Sequence, residues 1–148
     1  MYLSDEQALE VSPTVLAYVG DAVWELFVRT QLTVDSRGIA RARDLHVAAS
    51  GSVNAKAQAG LVRRLAEKLS PEENDVIRRG RNVRPRHAVR SSDPVQYRQS
   101  TGFEALLGYT YLTGRTSRLD ELLHMAMEAS RQGNGWEGAD GTEGENGQ

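Results

Sequence analysis

Residues 12–32 read SPTVLAYVGDAVWELFVRTQL, and the spacing of their apolar side chains decides the fold class. Ser12 offers a capping hydroxyl, and Pro13 suits a first helical position, where no backbone N–H is needed. Val15, Val19, Ala22, Val23 and Leu26 follow at three- and four-residue intervals, the stripe of one helical face. The pattern predicts a first helix over 12–32 with that stripe turned to the core.

The helical period persists outward from there. Asp35-Ser36-Arg37-Gly38 reads as a loop, and residues 39–49 and 53–69 as two helices separated near Ser50-Gly51-Ser52. Ser70-Pro71-Glu72-Glu73 has the form of a capping box and opens a helix ending near Gly80. Residues 81–92 read as a loop. Asp93-Pro94 then starts a long helix that stops at Gly114. Thr116 or Ser117 caps a last helix, with Leu119, Leu122, Leu123 and Ala126 as its core face. With no strand-like alternation and no internal repeat, the fold class is all-α. Residues 1–131 form one domain. Residues 132–148 are rich in glycine, hold Glu137, Asp140, Glu143 and Glu145, and lack Lys and Arg; that composition predicts disorder.

At 148 residues the chain can build one real core. It has no cysteine, which excludes disulfides and thiolate metal sites and fits a cytoplasmic location. No apolar run reaches the ~18 residues of a membrane helix, and the acidic start does not read as a secretory signal. Three histidines without ligand spacing point away from an imidazole cage, so a metal here would be a hard cation on carboxylate oxygen. The net charge of -2 conceals a basic body. Without the acidic tail, 18 basic residues face 16 acidic ones.

Two carboxylates stand among apolar neighbours: Asp21 in Ala17-Tyr18-Val19-Gly20-Asp21-Ala22-Val23-Trp24, and Glu104 in Thr101-Gly102-Phe103-Glu104-Ala105-Leu106-Leu107-Gly108. Such neighbours predict burial, and a buried carboxylate must be neutralised, paired or metal-bound. One reading pairs each locally, Asp21 with a nearby arginine and Glu104 with Arg98 or Tyr97. The other joins them in one site. Glu25, one turn after Asp21, is placed to pair with Arg29. The segment from Arg78 to Arg90 holds six arginines (Arg78, Arg79, Arg81, Arg84, Arg86 and Arg90) and no acid. A guanidinium forks onto phosphate oxygens, so this segment suits a nucleic-acid backbone; a plain solvated face is the competing reading. Arg63, Arg64 and Lys68 extend the same choice.

The first acidic segment resembles the ribonuclease III signature, a Leu-Gly-Asp-Ala/Ser-Val core with a metal-binding aspartate. The second resembles the family's Phe-Glu-Ala-Leu-Ile-Gly motif. With Ala55-Lys56-Ala57-Gln58-Ala59, Arg79-Gly80-Arg81-Asn82 and Tyr97-Arg98 in order, residues 12–130 look like the Mini-ribonuclease III branch. The resemblance implies a ribonuclease III-like helical fold and a homodimer. It implies a Mg2+-dependent endoribonuclease on double-stranded RNA, acting in large-subunit (23S) ribosomal RNA maturation. That role leaves open whether a ribosomal protein assists. Asp21 and Glu104 would be the catalytic and metal residues, and Arg78, Arg79, Arg81, Asn82, Arg84 and Arg86 the RNA contacts. Tyr18 stands where a family aromatic inserts into the partner subunit. Two further family acids are replaced, by Ala17 and Thr101, and no double-stranded RNA-binding domain follows. The alternative is a catalytically weak RNA-binding or ribosome-assembly factor on the same fold.

Overall fold

Seven α-helices account for the architecture among the described residues: α1 (Asp5–Glu10), α2 (Pro13–Asp35), α3 (Ala42–Val53), α4 (Ala55–Leu65), α5 (Pro71–Arg81), α6 (Pro94–Leu112) and α7 (Thr116–Gly133), with a 3-10 turn over Ala66–Lys68. The computed structural model describes residues 1–53, 55–84 and 94–133. No strand occurs among them, and none of their helices is long and apolar enough to cross a membrane.

Capping chemistry sets several boundaries. The Ser12 hydroxyl accepts from the Val15 N–H and starts α2. Ser70 and Glu73 close a reciprocal capping box at α5. A second box, Ser4 with Gln7, starts the short α1, which the sequence pattern had not suggested. Ser50-Gly51-Ser52 does not break a helix as expected; it lies inside α3. Helix α7 begins at Thr116 itself, so the expected cap is part of the first turn. It runs to Gly133, two residues past the expected domain end, and the rest of the tail lies outside the described residues.

Helix α6 is the central element. Every residue from Ser100 to Thr110 is buried except Glu104. A helix apolar on all sides belongs in the middle of a bundle, and α2, α4, α5 and α7 pack around it. Trp24 of α2 meets Phe103 of α6 edge to face at 5.4 Å and stacks on Phe27 at 5.9 Å. Burying a large apolar side chain such as Phe103 contributes about 1.5–3 kcal/mol. Leu119, Leu122, Leu123 and Ala126 of α7 are buried as expected.

The buried face of α2 is not the expected one. Leu16, Ala17, Gly20, Trp24 and Val28 face the core. Val15 and Leu26 are 50% and 68% exposed, and Val19 and Val23 are half-buried. Because α2 is apolar nearly all round, spacing alone offered two faces. The face carrying Ala17 and Gly20 is chosen because it lets α2 approach α6 most closely.

Candidate active site

That approach builds the site. A Cβ placed on Gly20 would lie 1.7 Å from the Glu104 carbonyl oxygen, and one on Gly108 would lie 1.9 Å from the Leu16 carbonyl oxygen. Two glycines thus bring the α2 and α6 backbones into direct contact. Asp21 follows Gly20, and Glu104 supplies the very carbonyl that Gly20 touches, so the two side chains leave the crossing together.

The two carboxyl groups are close enough to act on one another. Partial burial raises the Asp21 pKa above its ordinary value, the charge of Glu25 raises it further, and the hydrogen bond from Glu104 offsets part of this. Neither acid is buried as expected: Asp21 is exposed and Glu104 half-buried, at the rim of the crossing. Their apolar sequence neighbours point to other sides of the same helices. The buried carboxylate among the described residues is Glu73, 6% exposed, whose two oxygens accept from Arg118 Nε at 2.7 Å and Nη2 at 2.8 Å. Arg118 holds the Glu73 pKa below its ordinary value.

The donor chemistry suits a hard divalent cation. Two carboxylates meet, and a third, Glu25, adds charge one turn away. A cation here would relieve the repulsion among these acids. Among the described residues no three His, Cys, Asp or Glu groups converge on one cation position, so water would complete the ligand set. Ala17 and Thr101 are both buried, and the Thr101 hydroxyl donates to the Tyr97 carbonyl oxygen at 2.9 Å. Neither position offers a carboxylate. Glu25 is paired with Arg29, as expected. Of the histidines, His46 and His124 are exposed and His87 lies outside the described residues; the His124 ring meets Phe27 edge to face at 5.2 Å.

The arginines divide. Arg78 is paired with Asp75 on its own helix. Arg79 donates to the Leu9 carbonyl oxygen at 3.0 Å and ties α5 to α1. Arg81, Asn82 and Arg84 are exposed at the end of α5, where the Asn82 N–H closes the helix. Arg86 and Arg90 lie outside the described residues. Arg64 donates to the Ala129 carbonyl oxygen, joining α4 to α7.

Tyr18 is 79% exposed on the outward side of α2. On that helix, an apolar cavity of about 450 Å³ opens between Val19, Leu26 and Phe27 of α2, Tyr111 of α6 and Leu123 of α7. The share of α6 and α7 in it was not foreseen from the sequence. Tyr111, 50% exposed beside fully buried Tyr109, was the available signal.

The Ribonuclease III domain model matches residues 14–115. The chain is 46% identical to Mini-ribonuclease 3 of Symbiobacterium thermophilum, over 84% of this chain and 95% of that protein. It is 41% identical to Mini-ribonuclease 3 of a Thermoanaerobacter species, over 85% and 87% of the two chains. A Fusobacterium nucleatum protein of known crystal structure superposes with a TM-score of 0.69 at 25% identity, covering 80% of this chain and 93% of that one. The match spans both acidic segments and the helices that cross between them, and the chain belongs to the ribonuclease III family of endoribonucleases, in its Mini-ribonuclease 3 branch.

Proposed function

We propose that Asp21 and Glu104 are the catalytic pair of a Mg2+-dependent endoribonuclease that cuts double-stranded RNA. The observation that carries this reading is the meeting of the two carboxyls at the Gly20–Gly108 crossing. Bound Mg2+ supplies a Lewis acid for the phosphoryl oxygens and lowers the pKa of a water it holds. Asp21 and Glu104, deprotonated, hold it by their oxygens, directly or through water. Arg81, Asn82, Arg84 and Arg86 contact the phosphate backbone, with Arg78 and Arg79 at the edge of that surface. Duplex RNA shows a protein mainly its phosphates, 2′-hydroxyls and shape, and guanidinium groups suit the first of these.

The substrate we propose is the precursor of large-subunit (23S) ribosomal RNA, in the cytoplasm, with or without a ribosomal protein. Two copies pair through the outward face of α2, so that two sites flank one duplex, with Tyr18 of each copy entering the other's apolar cavity. The replacement of two family acids by Ala17 and Thr101 favours the second reading, a weakly catalytic RNA-binding factor.

Duplex RNA cleavage with and without Mg2+ separates the two. The enzyme requires Mg2+, and Asp21→Asn lowers its rate by roughly 10²–10³-fold, as removal of one electrostatic stabiliser does, while RNA binding persists. Cleavage by Asp21→Asn at the wild-type rate would remove the site assignment. Binding without any cleavage by the wild type would establish the second reading.

A further inference from the structure

Helix α2 ends in a Schellman turn: the Gly38 N–H donates to the Thr33 carbonyl oxygen at 3.1 Å, and the Arg37 N–H to that of Val34 at 2.9 Å. Arg37 stands at the left-handed position of this turn, φ 53, where glycine is the usual residue. Arg41 caps α3, its carbonyl oxygen accepting from the Asp44 and Leu45 N–H groups, and Arg43 lies in the first turn of that helix. A short hydroxyl or carboxyl side chain suits such a cap better, and the positive end of a helix dipole repels cations. A cation at Arg37 does suit the C-terminal end of α2, but no such gain applies to Arg41 or Arg43. Helix energetics therefore does not account for the set. All three side chains are exposed, and among the described residues no ion pair or hydrogen bond engages their guanidinium groups. Of the neighbouring acids, Asp35 is taken by Arg131 of α7 at 3.3 Å, and Asp44 pairs with none of the three.

The corner between α2 and α3 lies at the far end of the helical row that starts at Asp21. Glu25 and Arg29 follow Asp21 at four-residue spacing, and Ser36 lies two turns beyond Arg29 on the same side of α2. The rise of the helix puts Arg37 about 24 Å from Asp21 along the α2 axis. Glu25 and Arg29 neutralise each other, so the row carries no unpaired acid between Asp21 and the corner. We propose that Arg37, Arg41 and Arg43 form a second contact surface for duplex RNA, holding phosphates away from the cleaved bond while Asp21 and Glu104 act on that bond. This rests on the RNA-cleaving reading given above. The corner is built of guanidinium groups, which fork onto phosphate oxygens, and holds no lysine. The three arginines act on binding and touch no reacting atom.

The test uses substitutions that favour the local helix ends. Arg37→Gly suits the left-handed turn, Arg41→Ser suits the cap, and Arg43→Ala removes a cation from the first turn, so the combined variant should melt no lower than wild type. Duplex RNA binding is titrated with salt in EDTA, which withholds the cation and stops cleavage. The variant should lose affinity, and its log–log slope should flatten by roughly two to three units, somewhat under one for each phosphate no longer neutralised. With Mg2+ present its KM should rise while kcat stays unchanged. An unchanged slope and affinity, where the wild type binds, would make the corner a solvated surface and overturn the proposal alone. Weaker binding accompanied by a lowered melt would make the arginines structural, and a lowered kcat at saturating RNA would place them in the chemistry; either result overturns it. A wild type that binds no duplex RNA at low salt would remove the underlying reading, and the corner with it.

Discussion

Gly20 and Gly60 both lie inside helices, and a helix propensity scale treats them alike, yet their surroundings give alanine opposite signs. Gly60 has open space where a Cβ would go, so Gly60→Ala should stabilise by about 0.5–1 kcal/mol, the usual helical gain. At Gly20 the added carbon would sit 1.7 Å from the backbone of α6, where no side-chain rotation can relieve it. Gly20→Ala should cost at least about 3 kcal/mol, at the top of the range for overpacking, and should part Asp21 from Glu104. Urea melts of the two variants check the signs. The sequence showed both glycines but not what faced them. The same limit applied to the acids. Flanking apolar residues marked Asp21 and Glu104 as unusual, whereas Glu73 looked like an ordinary helix cap. Its burial comes with Arg118, 45 residues away, which donates to both its oxygens. Because Arg118 depresses the Glu73 pKa in the folded state, this stabilisation is fully present above the ordinary value of 4.5 and fades as pH falls through the lowered one. Arg118→Ala should destabilise at pH 7 by somewhat less than the ~3–5 kcal/mol of a fully buried pair, since Arg118 is 30% exposed. The deficit should shrink as pH falls below 4.5 and through the lowered value, where Glu73 takes up its proton in the folded wild type as well.

Among the elements, α5 shows how local signals and distant contacts divide the work. Its start was legible from Ser70 and Glu73, because a capping box is complete within four residues. Its role was only partly legible. The arginine run read as one surface, but Asp75 and the Leu9 carbonyl oxygen engage Arg78 and Arg79. Asp75 sits three residues ahead of the arginine segment, and α1 is too short for its apolar spacing to mark it as a helix. The far end of α5, from Arg81, is therefore the stronger candidate for phosphate contact. Arg81→Ala, Arg84→Ala and Arg86→Ala combined should lower duplex RNA affinity and flatten its logarithmic salt dependence by somewhat under one unit for each phosphate no longer neutralised. Arg79→Ala should instead mainly lower the melting temperature by loosening α1. A salt titration of RNA binding beside a thermal melt separates the two effects. If the triple variant keeps the wild-type slope and affinity, the duplex is held elsewhere, with Arg63 and Lys68 next to be tested, since Arg64 already serves the junction of α4 with α7.

For the whole molecule, the helical period was enough to predict an all-α body, and the two acidic motifs were enough to predict that distant segments meet. Which side of α2 faces inward was not legible, because Val15, Val19 and Leu26 match a core stripe as well as Leu16, Gly20 and Trp24 do. Only the Gly20–Gly108 crossing decides between them, and it is a property of two helices together. The consequence is an apolar face left on the outside. Tyr18, Val15 and Leu26 are 79%, 50% and 68% exposed, beside a cavity of about 450 Å³. A contiguous exposed apolar surface around an aromatic marks an interaction site more often than a solvated one. On the dimer reading, this face is covered by its own copy, and Tyr18 is the anchor residue. Light scattering at micromolar concentration should give twice the monomer mass. Tyr18→Ala should weaken the pairing by about 2 kcal/mol or more, close to 30-fold in Kd, with unchanged helical content because a residue this exposed carries little of the monomer's core. A monomeric wild type at that concentration would mean that the apolar face meets another partner. A dimer indifferent to Tyr18→Ala would place the pairing on another surface and leave the cavity beside α2 without its proposed occupant.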